Sequence, residues 1–317
     1  MNECAIGIDL GGTKIKVALV DRSGQIYYNQ KIPTRAELGS QSVIQAIVQE
    51  VAKLQSSKEY QIKALGIGVA GQIEADSGIV KFAPNLKWHN VALKSGLYHQ
   101  IHLPVAVVDD VKAAAYGEWK YGAGKGCSDL VCMFIGTGIG GGIIANGKLF
   151  GGGSNTAGEI GHMIVEQNGP ECTCGNWGCV EAIGGGWAIA KHAKEMVKND
   201  RQAGQYLLDC CQSIDEITAA HVALGAQKGD PLCQKVIGNA VNAIVACSVN
   251  IVNVLNPIKL IVGGGVVKGI PHLLDEIRKG IKARALAAAC GNLEVVDAAL
   301  GDNAGVVGAA TYALDQV

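Results

Sequence analysis

Several features are scarce or missing in this 317-residue chain, and each absence excludes a class of protein. There is almost no net charge, because 27 Lys and Arg against 28 Asp and Glu leave a formal charge of −1. A strongly basic nucleic-acid-binding surface is therefore not expected. No apolar run reaches the roughly 18 residues that a membrane span requires, and the N-terminal residues do not resemble a secretory signal. We expect a cytosolic protein without membrane or nucleic-acid partners.

Proline is also scarce, with 7 residues against 44 glycines. The chain therefore turns mainly on glycine, and its glycines are clustered, which indicates sites rather than disorder. Hydrophobic residues make up 49% of the chain and charged residues 17%. This length and composition are sufficient for two globular domains that each bury a core.

Two common nucleotide-binding motifs are missing as well, namely G-x4-G-K-[ST] and a G-x-G-x-x-G that opens a helix. Three other glycine turns are present instead, at Gly11-Gly12-Thr13, Gly136-Thr137-Gly138 and Gly263-Gly264-Gly265. Backbone without Cβ atoms can bring its N–H groups within hydrogen-bonding distance of phosphate oxygens. One such turn alone is better explained as a tight hairpin, but two with threonine and a triple glycine favour a polyphosphate site.

A histidine and three cysteines form the most specific cluster, at His162, Cys172, Cys174 and Cys179, closed by Glu181. One imidazole nitrogen and three thiolates would complete a tetrahedral zinc site with no position for water, which is typical of a structural metal. Disulfides are the first alternative, but eleven cysteines is an odd number and a reducing compartment disfavours them. The second alternative is ordinary buried thiols, which we expect for Cys4, Cys127, Cys132, Cys210, Cys211, Cys233, Cys247 and Cys290.

Hydrophobic periodicity predicts an α/β chain. An initial hairpin of strands is expected, with its second strand at 14–20, and a second hairpin is expected within 130–150. Further strands are predicted at 64–71, 105–110, 259–267 and 293–298. Helices are predicted at 40–55, 112–122, 231–255, 270–286 and 305–316. Because the second hairpin repeats the order of the first, we expect a duplicated unit, with a boundary near residues 116–126.

The order of motifs adds a resemblance that covers residues 5 to about 313. DLGGTK, VVDDVKAAAYGE, FIGTGIGGG, GEIGH with CTCGNWGCVE, and IVGGG resemble the sugar kinases of the ROK family (repressors, open reading frames and kinases), within the hexokinase and actin superfamily. This resemblance implies an α/β, two-domain actin/hexokinase-like (ribonuclease H-like) fold with an interdomain cleft. We predict a small N-terminal domain at 1–118 plus about 300–317, and a large domain at 119–299 that carries the zinc loop. A homodimer or homotetramer is also implied.

The resemblance assigns the nucleotide-binding residues to three loops. The first phosphate loop, with its aspartate near Mg²⁺, would be formed by Asp9, Gly11, Gly12, Thr13 and Lys14. The second phosphate loop and the adenosine-contacting turn would be formed by Gly136, Thr137, Gly138, Gly263, Gly264 and Gly265. The implied cofactors are ATP, Mg²⁺ and a structural Zn²⁺.

Asp110 is the candidate catalytic base. It follows a buried strand beside a glycine-rich anion site, and transfer of a phosphoryl group to an alcohol needs a base to accept the hydroxyl proton. The resemblance assigns the catalytic aspartate to the same position. The alternative is that Asp110 only caps the helix that follows.

A hexose is recognised through its hydroxyl groups, so carboxylates and amides are expected around it. The candidate substrate-binding residues are Gly71, Asn85, Asp109, Asp110, Glu159, His162 and Glu181. His162 could serve both zinc and sugar, because an imidazole has two distinct nitrogens. Two positions depart from the family pattern: Asp109 and Lys112 both stand where asparagine is usual, and Lys112 could pair with Asp109 or point to solvent.

These features together predict an ATP-dependent kinase that phosphorylates a hexose at its 6-hydroxyl, with glucose as the expected substrate. N-acylhexosamines such as N-acetylmannosamine and N-acetylglucosamine, fructose and mannose stay open as alternatives, since pocket walls decide among them. A sugar-sensing regulator of the same family, or a non-catalytic sugar-binding protein, would be another class. Such regulators carry a helix-turn-helix ahead of the first phosphate loop, and here Asp9 lies within ten residues of Met1, which favours the kinase.

Overall fold

The structure of the protein is a computed structural model, and it describes residues 2–57 and 59–317. Its strands, β1 to β13 in chain order, are Glu3–Leu10, Lys14–Asp21, Ile26–Pro33, Gln61–Val69, Gln72–Ile73, Val80–Ala83, Trp88–Val91, Val105–Asp109, Leu130–Ile135, Ile139–Ala145, Lys148–Leu149, Lys259–Gly263 and Glu294–Asp297. Its α-helices, α1 to α12, are Ser40–Gln55, Leu93–Ile101, Asp110–Tyr121, Glu181–Gly184, Gly186–Asn199, Gln205–Cys210, Ala219–Gln227, Pro231–Leu255, Gly265–Gly269, Leu273–Arg284, Ala287–Cys290 and Ala304–Leu314.

The chain divides into two compact units. The first unit contains Met1–Asp129, Gly142–Gly158 and Ala299–Val317, and the second contains Leu130–Gly141 and Glu159–Ala298. The first unit therefore extends past residue 118, where the predicted small domain ends. It also includes Gly142–Gly158, which the prediction assigned to the large domain. The assignment of functional domains to 1–118 with about 300–317 and to 119–299 stays a prediction.

A five-stranded sheet in the order β3-β2-β1-β4-β8 forms the centre of the first unit. Strand β2 pairs antiparallel with β1 and β3, whereas β4 pairs parallel with β1 and β8. Apolar side chains of α1 and α2 cover one face together with the small sheet β5-β6-β7. The other face is covered by α12. The parallel strands β1, β4 and β8 thus end at one edge of the sheet, where α/β folds commonly bind ligands.

Helix α12 lies directly on the sheet because glycines remove the side chains between them. A Cβ atom on Gly7 would lie 1.9 Å from the carbonyl oxygen of Val306, and one on Gly66 would lie 1.8 Å from that of Ala309. A Cβ on Gly308 would lie 1.6 Å from the carbonyl oxygen of Ala113 in α3. The last helix of the chain is therefore an integral part of the first unit.

A buried carboxylate joins the C-terminal part of α3 to the segment that returns to the first unit. Glu118 has no exposed surface. Its Oε2 accepts hydrogen bonds from the backbone N–H groups of Ala123 at 2.9 Å and Ala299 at 3.0 Å, and its Oε1 accepts one from Leu300 at 2.7 Å. These charge-assisted bonds offset the cost of burying the carboxylate.

The second unit is built on the strands β9, β12 and β13, and the whole second sheet has the order β11-β10-β9-β12-β13. Strand β12 pairs parallel with β9 and β13. Strand β10 begins at Ile139 in this unit and continues past Gly141, the last residue of that segment of the unit. The predicted second hairpin is confirmed in outline, including a left-handed turn at Asn146 and Gly147.

The longest helix, α8, corresponds residue for residue to the predicted helix 231–255. Asp230 caps its N-terminus by accepting a hydrogen bond from the Cys233 N–H at 2.8 Å, and Asn256 ends it in the left-handed conformation. By length and composition alone this helix could cross a membrane, but 67% of its most apolar window is buried among its neighbours. It packs against α4, α5, α7 and α10 in the core of the second unit.

Several sequence expectations need correction. The predicted strand 259–267 ends at Gly263, and Val266 and Val267 lie in helix α9, because the third glycine turn opens a helix. Helices α4 to α7 and the small sheet β5-β6-β7 were not predicted at all. Among the cysteines expected to be buried, Cys210 is exposed, and partial exposure is found for Cys127, Cys211 and Cys290. Trp177, between Cys174 and Cys179 in the predicted zinc loop, is 56% exposed.

Candidate active site

The first glycine turn, between β1 and β2, is fixed by a residue that sequence reasoning missed. The hydroxyl of Thr34 donates to the carbonyl oxygen of Gly11 at 2.6 Å, and the Thr34 N–H donates to the carbonyl oxygen of Thr13 at 3.0 Å. A Cβ on Gly12 would lie 2.7 Å from the carbonyl oxygen of Asn85. The turn and the predicted sugar loop at Asn85 are therefore in contact, and only glycine fits at position 12.

Asp9 ends β1 beside this turn and is partly buried. Burial raises its pKa, while the ammonium groups of Lys16 and Lys31 lower it. A Cβ on Gly305, in the first turn of α12, would lie 3.2 Å from Asp9 Oδ2, so the carboxylate faces the N-terminal end of that helix. An N-terminus favours an anion. Lys14 begins β2 with an exposed side chain.

Asp109 and Asp110 lie where β8 ends and α3 begins. Oδ1 of Asp109 accepts hydrogen bonds from the N–H groups of Val111 at 3.1 Å and Lys112 at 3.0 Å, so Asp109 is the N-cap of α3. Asp110 Oδ1 also accepts from Val111, at 2.9 Å. Burial, then the charges of Asp109 and Asp9, raises the pKa of Asp110 to about 7. The helix thus has another cap, and Asp110 can exchange a proton near neutral pH.

Lys112 does not point to solvent, which corrects one of the two predicted alternatives. Its side chain is 3% exposed, and its Nζ donates a hydrogen bond to the carbonyl oxygen of Asn155. The amide of Asn155 donates in turn to the carbonyl oxygen of Ile73 at 3.4 Å. The glycine-rich loop 151–157 is therefore tied both to α3 and to β5.

Two further predicted substrate residues lie in the same unit. A Cβ on Gly71 would lie 2.4 Å from the carbonyl oxygen of Phe82, so position 71 also requires glycine. Asn85 lies with an exposed side chain in the short 3-10 helix Pro84–Leu86. The first unit thus brings the first glycine turn, Asn85, Gly71 and the two adjacent aspartates together around one end of its sheet.

In the second unit, the turn Gly136-Thr137-Gly138 connects β9 to β10. The carbonyl oxygens of Gly136 and Thr137 accept hydrogen bonds from the N–H groups of Gly186 and Trp187, both at 2.9 Å, which attaches the turn to the start of α5. The third turn contains Gly264 at φ 108°, and a Cβ there would lie 2.3 Å from the carbonyl oxygen of Ile135. In both turns, backbone without side chains therefore lies close to neighbouring backbone groups.

The second and third glycine turns meet in one cavity of about 750 Å³. Gly136, Thr137 and Gly265 contribute to its wall, and the rest of the lining is largely apolar. Residues that the sequence did not identify complete it, namely Gly186, Trp187, Ile189, Ala190, Lys194, Asp215, Ile217, Thr218, Ala219, Ala220, Ala223, Ile237, Val266, Gly269 and Ile270. Lys194 Nζ donates to the carbonyl oxygen of Asp215 at 2.7 Å and so fixes one side. A planar aromatic group that is linked to a phosphate chain would fit between these largely apolar walls.

The predicted metal ligands are brought together. One ligand atom from each of His162, Cys172, Cys174 and Cys179 lies within 4.8 Å of all the others. Cys174 Sγ is 3.8 Å from Cys179 Sγ, and Cys172 Sγ is 3.7 Å from His162 Nδ1. Tetrahedral ligands about 2.3 Å from zinc would be separated by roughly 3.8 Å. The donor set and its spacing therefore fit a zinc ion.

The three remaining candidates differ in their surroundings. Glu181 Oε2 accepts a hydrogen bond from the Ile139 N–H at 2.7 Å, and its Oε1 accepts one from Trp187 Nε1 at 3.3 Å. Glu159 is exposed and precedes the short helix Ile160–His162. His162 turns Nδ1 toward Cys172, which leaves Nε2 for a second partner. All three lie in the second unit with the cysteines.

Comparison with known proteins identifies what this chain resembles. The sequence profile of the ROK family matches residues 5–316. The glucokinase of Thermotoga maritima is 33% identical over 313 residues, covering 98% of each chain, and that of Streptomyces coelicolor is 35% identical, covering 97% of this chain and 96% of the other. The xylose repressor of Caldicellulosiruptor bescii is 34% identical, covering 96% of this chain and 76% of the repressor.

Among solved structures, a ROK family glucokinase from Streptomyces griseus in complex with glucose and AMPPNP aligns with a TM-score of 0.82 and 35% identity. The alignment covers 98% of this chain and 99% of that one. The predicted fold class, a two-domain α/β fold of the hexokinase-like type, is thereby confirmed.

Proposed function

This chain belongs to the ROK family, and on that premise we propose that it is an ATP-dependent hexose kinase that phosphorylates the 6-hydroxyl, with glucose as its substrate. The observation that supports this most directly is the cavity in which the second and third glycine turns meet. Bare backbone suits the phosphates and apolar walls suit the adenine. The similarity to glucokinases at 33% to 35% identity over almost the whole chain supports the choice of substrate.

The proposed nucleotide site uses the loops that the resemblance assigned. The adenosine would occupy the cavity beside Gly263, Gly264 and Gly265. The phosphates would be bound by the N–H groups and hydroxyls of Gly136, Thr137, Gly138, Gly11, Gly12 and Thr13, with Lys14 nearby. When bound beside Asp9, Mg²⁺ would neutralise phosphate charge.

Asp110 would accept the proton of the attacking hydroxyl. Its pKa of about 7 lets it be ionised in a substantial fraction of molecules at neutral pH and still basic enough to accept a proton. Since Asp109 supplies the principal cap of α3, Asp110 is not required for that role. General-base assistance of this kind contributes about 10² to 10⁴ in rate.

We propose that the hydroxyl groups of the hexose are bound by Asn85, Gly71, Asp109, Asp110, Glu159, His162 and Glu181. Glu181 accepts one hydrogen bond at each carboxylate oxygen, from the Ile139 N–H at 2.7 Å and from Trp187 Nε1 at 3.3 Å. Zinc bound to His162 and the three cysteines would supply structural rigidity to the loop between Glu159 and Glu181.

A coupled assay of ADP release with glucose, mannose, fructose, N-acetylmannosamine and N-acetylglucosamine would test the proposal. We expect the highest kcat/KM with glucose. A higher value with an acylated hexosamine would move the assignment to that substrate. Absence of ADP release with every sugar, from folded protein with Mg²⁺ present, would contradict a kinase.

A sugar-sensing regulator is the second candidate, because the relatives include the xylose repressor. A regulator has no need to turn over ATP, so the same assay separates the two functions. We further propose that the protein is cytosolic, acts without membrane or nucleic-acid partners, and assembles as a dimer or tetramer, which light scattering would measure.

A further inference from the structure

Trp187 lies beside three functional features of the second unit. It is one of the residues that line the proposed nucleotide cavity. Its Nε1 donates a hydrogen bond to Oε1 of Glu181 at 3.3 Å. It also packs against the apolar cluster that contains Cys172 and Cys179, two of the candidate zinc ligands.

Trp187 has contacts both at its backbone and at its ring. Its backbone N–H donates to the carbonyl oxygen of Thr137 at 2.9 Å, which fixes the start of α5 to the second glycine turn. The Nζ of Lys191, one helical turn later, lies 6.0 Å from the centre of the ring. A group that fills the cavity would add a further contact and restrict the movement of this side chain.

Glu181 accepts the hydrogen bond from the Trp187 indole. Its Oε2 is fixed by the Ile139 N–H, directly after the second glycine turn, so the Trp187 donor decides how the remaining oxygen is oriented. A Cβ on Gly138 would lie 2.3 Å from Oε2, and this close approach leaves the carboxylate little alternative space.

We propose that Trp187 is a positioning residue that couples nucleotide binding to hexose binding through Glu181. The inference rests on the proposed function, since it takes the cavity as the nucleotide site and Glu181 as a hexose contact. Nucleotide in the cavity immobilises the indole, and the immobilised indole orients the Glu181 carboxylate. The hexose then binds without the entropic cost of ordering that carboxylate.

Packing against the cluster of Cys172, Cys179 and Ala182 places Trp187 beside the metal loop. A bound zinc ion would fix these two sulfur atoms and so restrict the ring from its third side. The coupling is therefore expected to be strongest in the metal-loaded protein, and the zinc content of each preparation must be measured with the binding constants.

The experiment is calorimetric titration of the full-length protein with D-glucose, with and without saturating AMPPNP and Mg²⁺. The ratio of the two glucose dissociation constants is the coupling factor, and factors between sites are typically about 5 to 150. In the Trp187→Phe variant the ring remains but the N–H donor is lost. We expect its coupling factor to fall to less than a third of the wild-type value, with AMPPNP affinity in the absence of glucose changed by less than about threefold.

Trp119→Phe is the matched control. Trp119 lies in α3 of the first unit, where its Nε1 donates to the carbonyl oxygen of Cys127 at 2.8 Å, so this variant also loses one indole hydrogen bond. Its coupling factor is expected to equal that of the wild type. Equal reductions in both variants would indicate a general loss of stability and would overturn the proposal.

If Trp187→Phe does not fold, Glu181→Gln takes its place, because it replaces one acceptor oxygen by a donor and must lose one of the two bonds. A coupling factor above a third of the wild-type value in the variant, or no coupling in the wild type, overturns the inference. If the wild-type protein still phosphorylates glucose, the proposed function is unaffected by that result. Wild-type protein that binds neither glucose nor AMPPNP would instead contradict the proposed function.

Discussion

Asp109 caps helix α3, and the carboxyl group of Asp110, the next residue, has its pKa raised to about 7 by burial and by the charge of Asp109. These two adjacent aspartates thus have different roles, because Asp109 accepts hydrogen bonds from the N–H groups of both Val111 and Lys112. This relationship separates a structural aspartate from one that can exchange protons.

Asp110→Asn should therefore lower kcat by at least about 10²-fold, while the affinities for ATP and glucose stay within a few-fold. The same change should stabilise the fold at pH 8, because it removes an ionised carboxylate whose burial is unfavourable. Since each pKa unit corresponds to about 1.4 kcal/mol, the gain could reach a few kcal/mol. Steady-state kinetics and thermal unfolding measure both effects, and turnover within tenfold of the wild type would rule Asp110 out as the base.

The pH dependence of catalysis follows from the same group. The base must be ionised, and its pKa lies near 7, so kcat/KM should rise with pH through that region and level off above about pH 8. Stability should change in the opposite direction. The unfolded aspartate ionises near 3.8, so the cost of an ionised Asp110 appears as pH rises from about 4 to 7. A kcat/KM that is flat between pH 5.5 and 8 would contradict the assignment.

The cysteine cluster should hold about one zinc ion per chain. Cys179→Ser is expected to lose the metal and to unfold at a lower temperature, because a structural site contributes directly to folding. Cys210→Ser is the matched control, since Cys210 is exposed and lies outside the cluster. Elemental analysis and thermal unfolding provide the two readouts. Full zinc content in Cys179→Ser, or unchanged stability after chelation, would argue against the structural metal.

Gly264 and Gly265 provide a matched pair in the third glycine turn. A Cβ on Gly264 would lie 2.3 Å from the carbonyl oxygen of Ile135 at φ 108°, whereas one on Gly265 would meet nothing within 4 Å. Gly264→Ala should lower the free energy of unfolding by about 1 to 3 kcal/mol, and Gly265→Ala should leave it nearly unchanged. Urea unfolding measures both, and equal effects would show that the turn relaxes freely.

Lys112 is tied to the loop 151–157 through the carbonyl oxygen of Asn155. Lys112→Asn introduces the residue that the family resemblance leads us to expect here, but the shorter side chain cannot reach that carbonyl group. We expect the KM for the hexose to rise several-fold, while the KM for ATP changes by less than about twofold. Kinetics with glucose and N-acetylglucosamine would measure this, and a selective rise in the KM for ATP would contradict a role near the hexose.

Local patterns in the sequence were sufficient for much of the fold. The hairpins, α1, α8 and the strand that precedes Asp109 follow from periodicity and turn residues that are close in the chain. The four candidate metal ligands could be grouped because they lie within 18 residues of each other. The adjacent aspartates at 109 and 110 are likewise visible in the sequence, and the charge of Asp109 contributes to the raised pKa of Asp110.

The residues that were missed act over long distances in the chain. Thr34 supports the first glycine turn across 23 residues, and Glu118 binds Ala299 across 181 residues. Neither threonine nor glutamate is unusual in its local sequence, so no nearby pattern marks them. Trp187 was not identified, because α5 itself was not predicted and its position beside the proposed nucleotide cavity depends on the three-dimensional fold.

Helix α12 has a consequence for how the protein is made. The glycines at 7 and 66 leave the sheet of the first unit closely matched to a helix that is synthesised long after the strands. During translation, that apolar face of the sheet therefore stays uncovered until residues 304–314 have left the ribosome. Contacts so remote in sequence form slowly. Loss of residues 304–314 should consequently make the nascent first unit a target for chaperones and proteases, although Asp9 and Asp110 would both be intact.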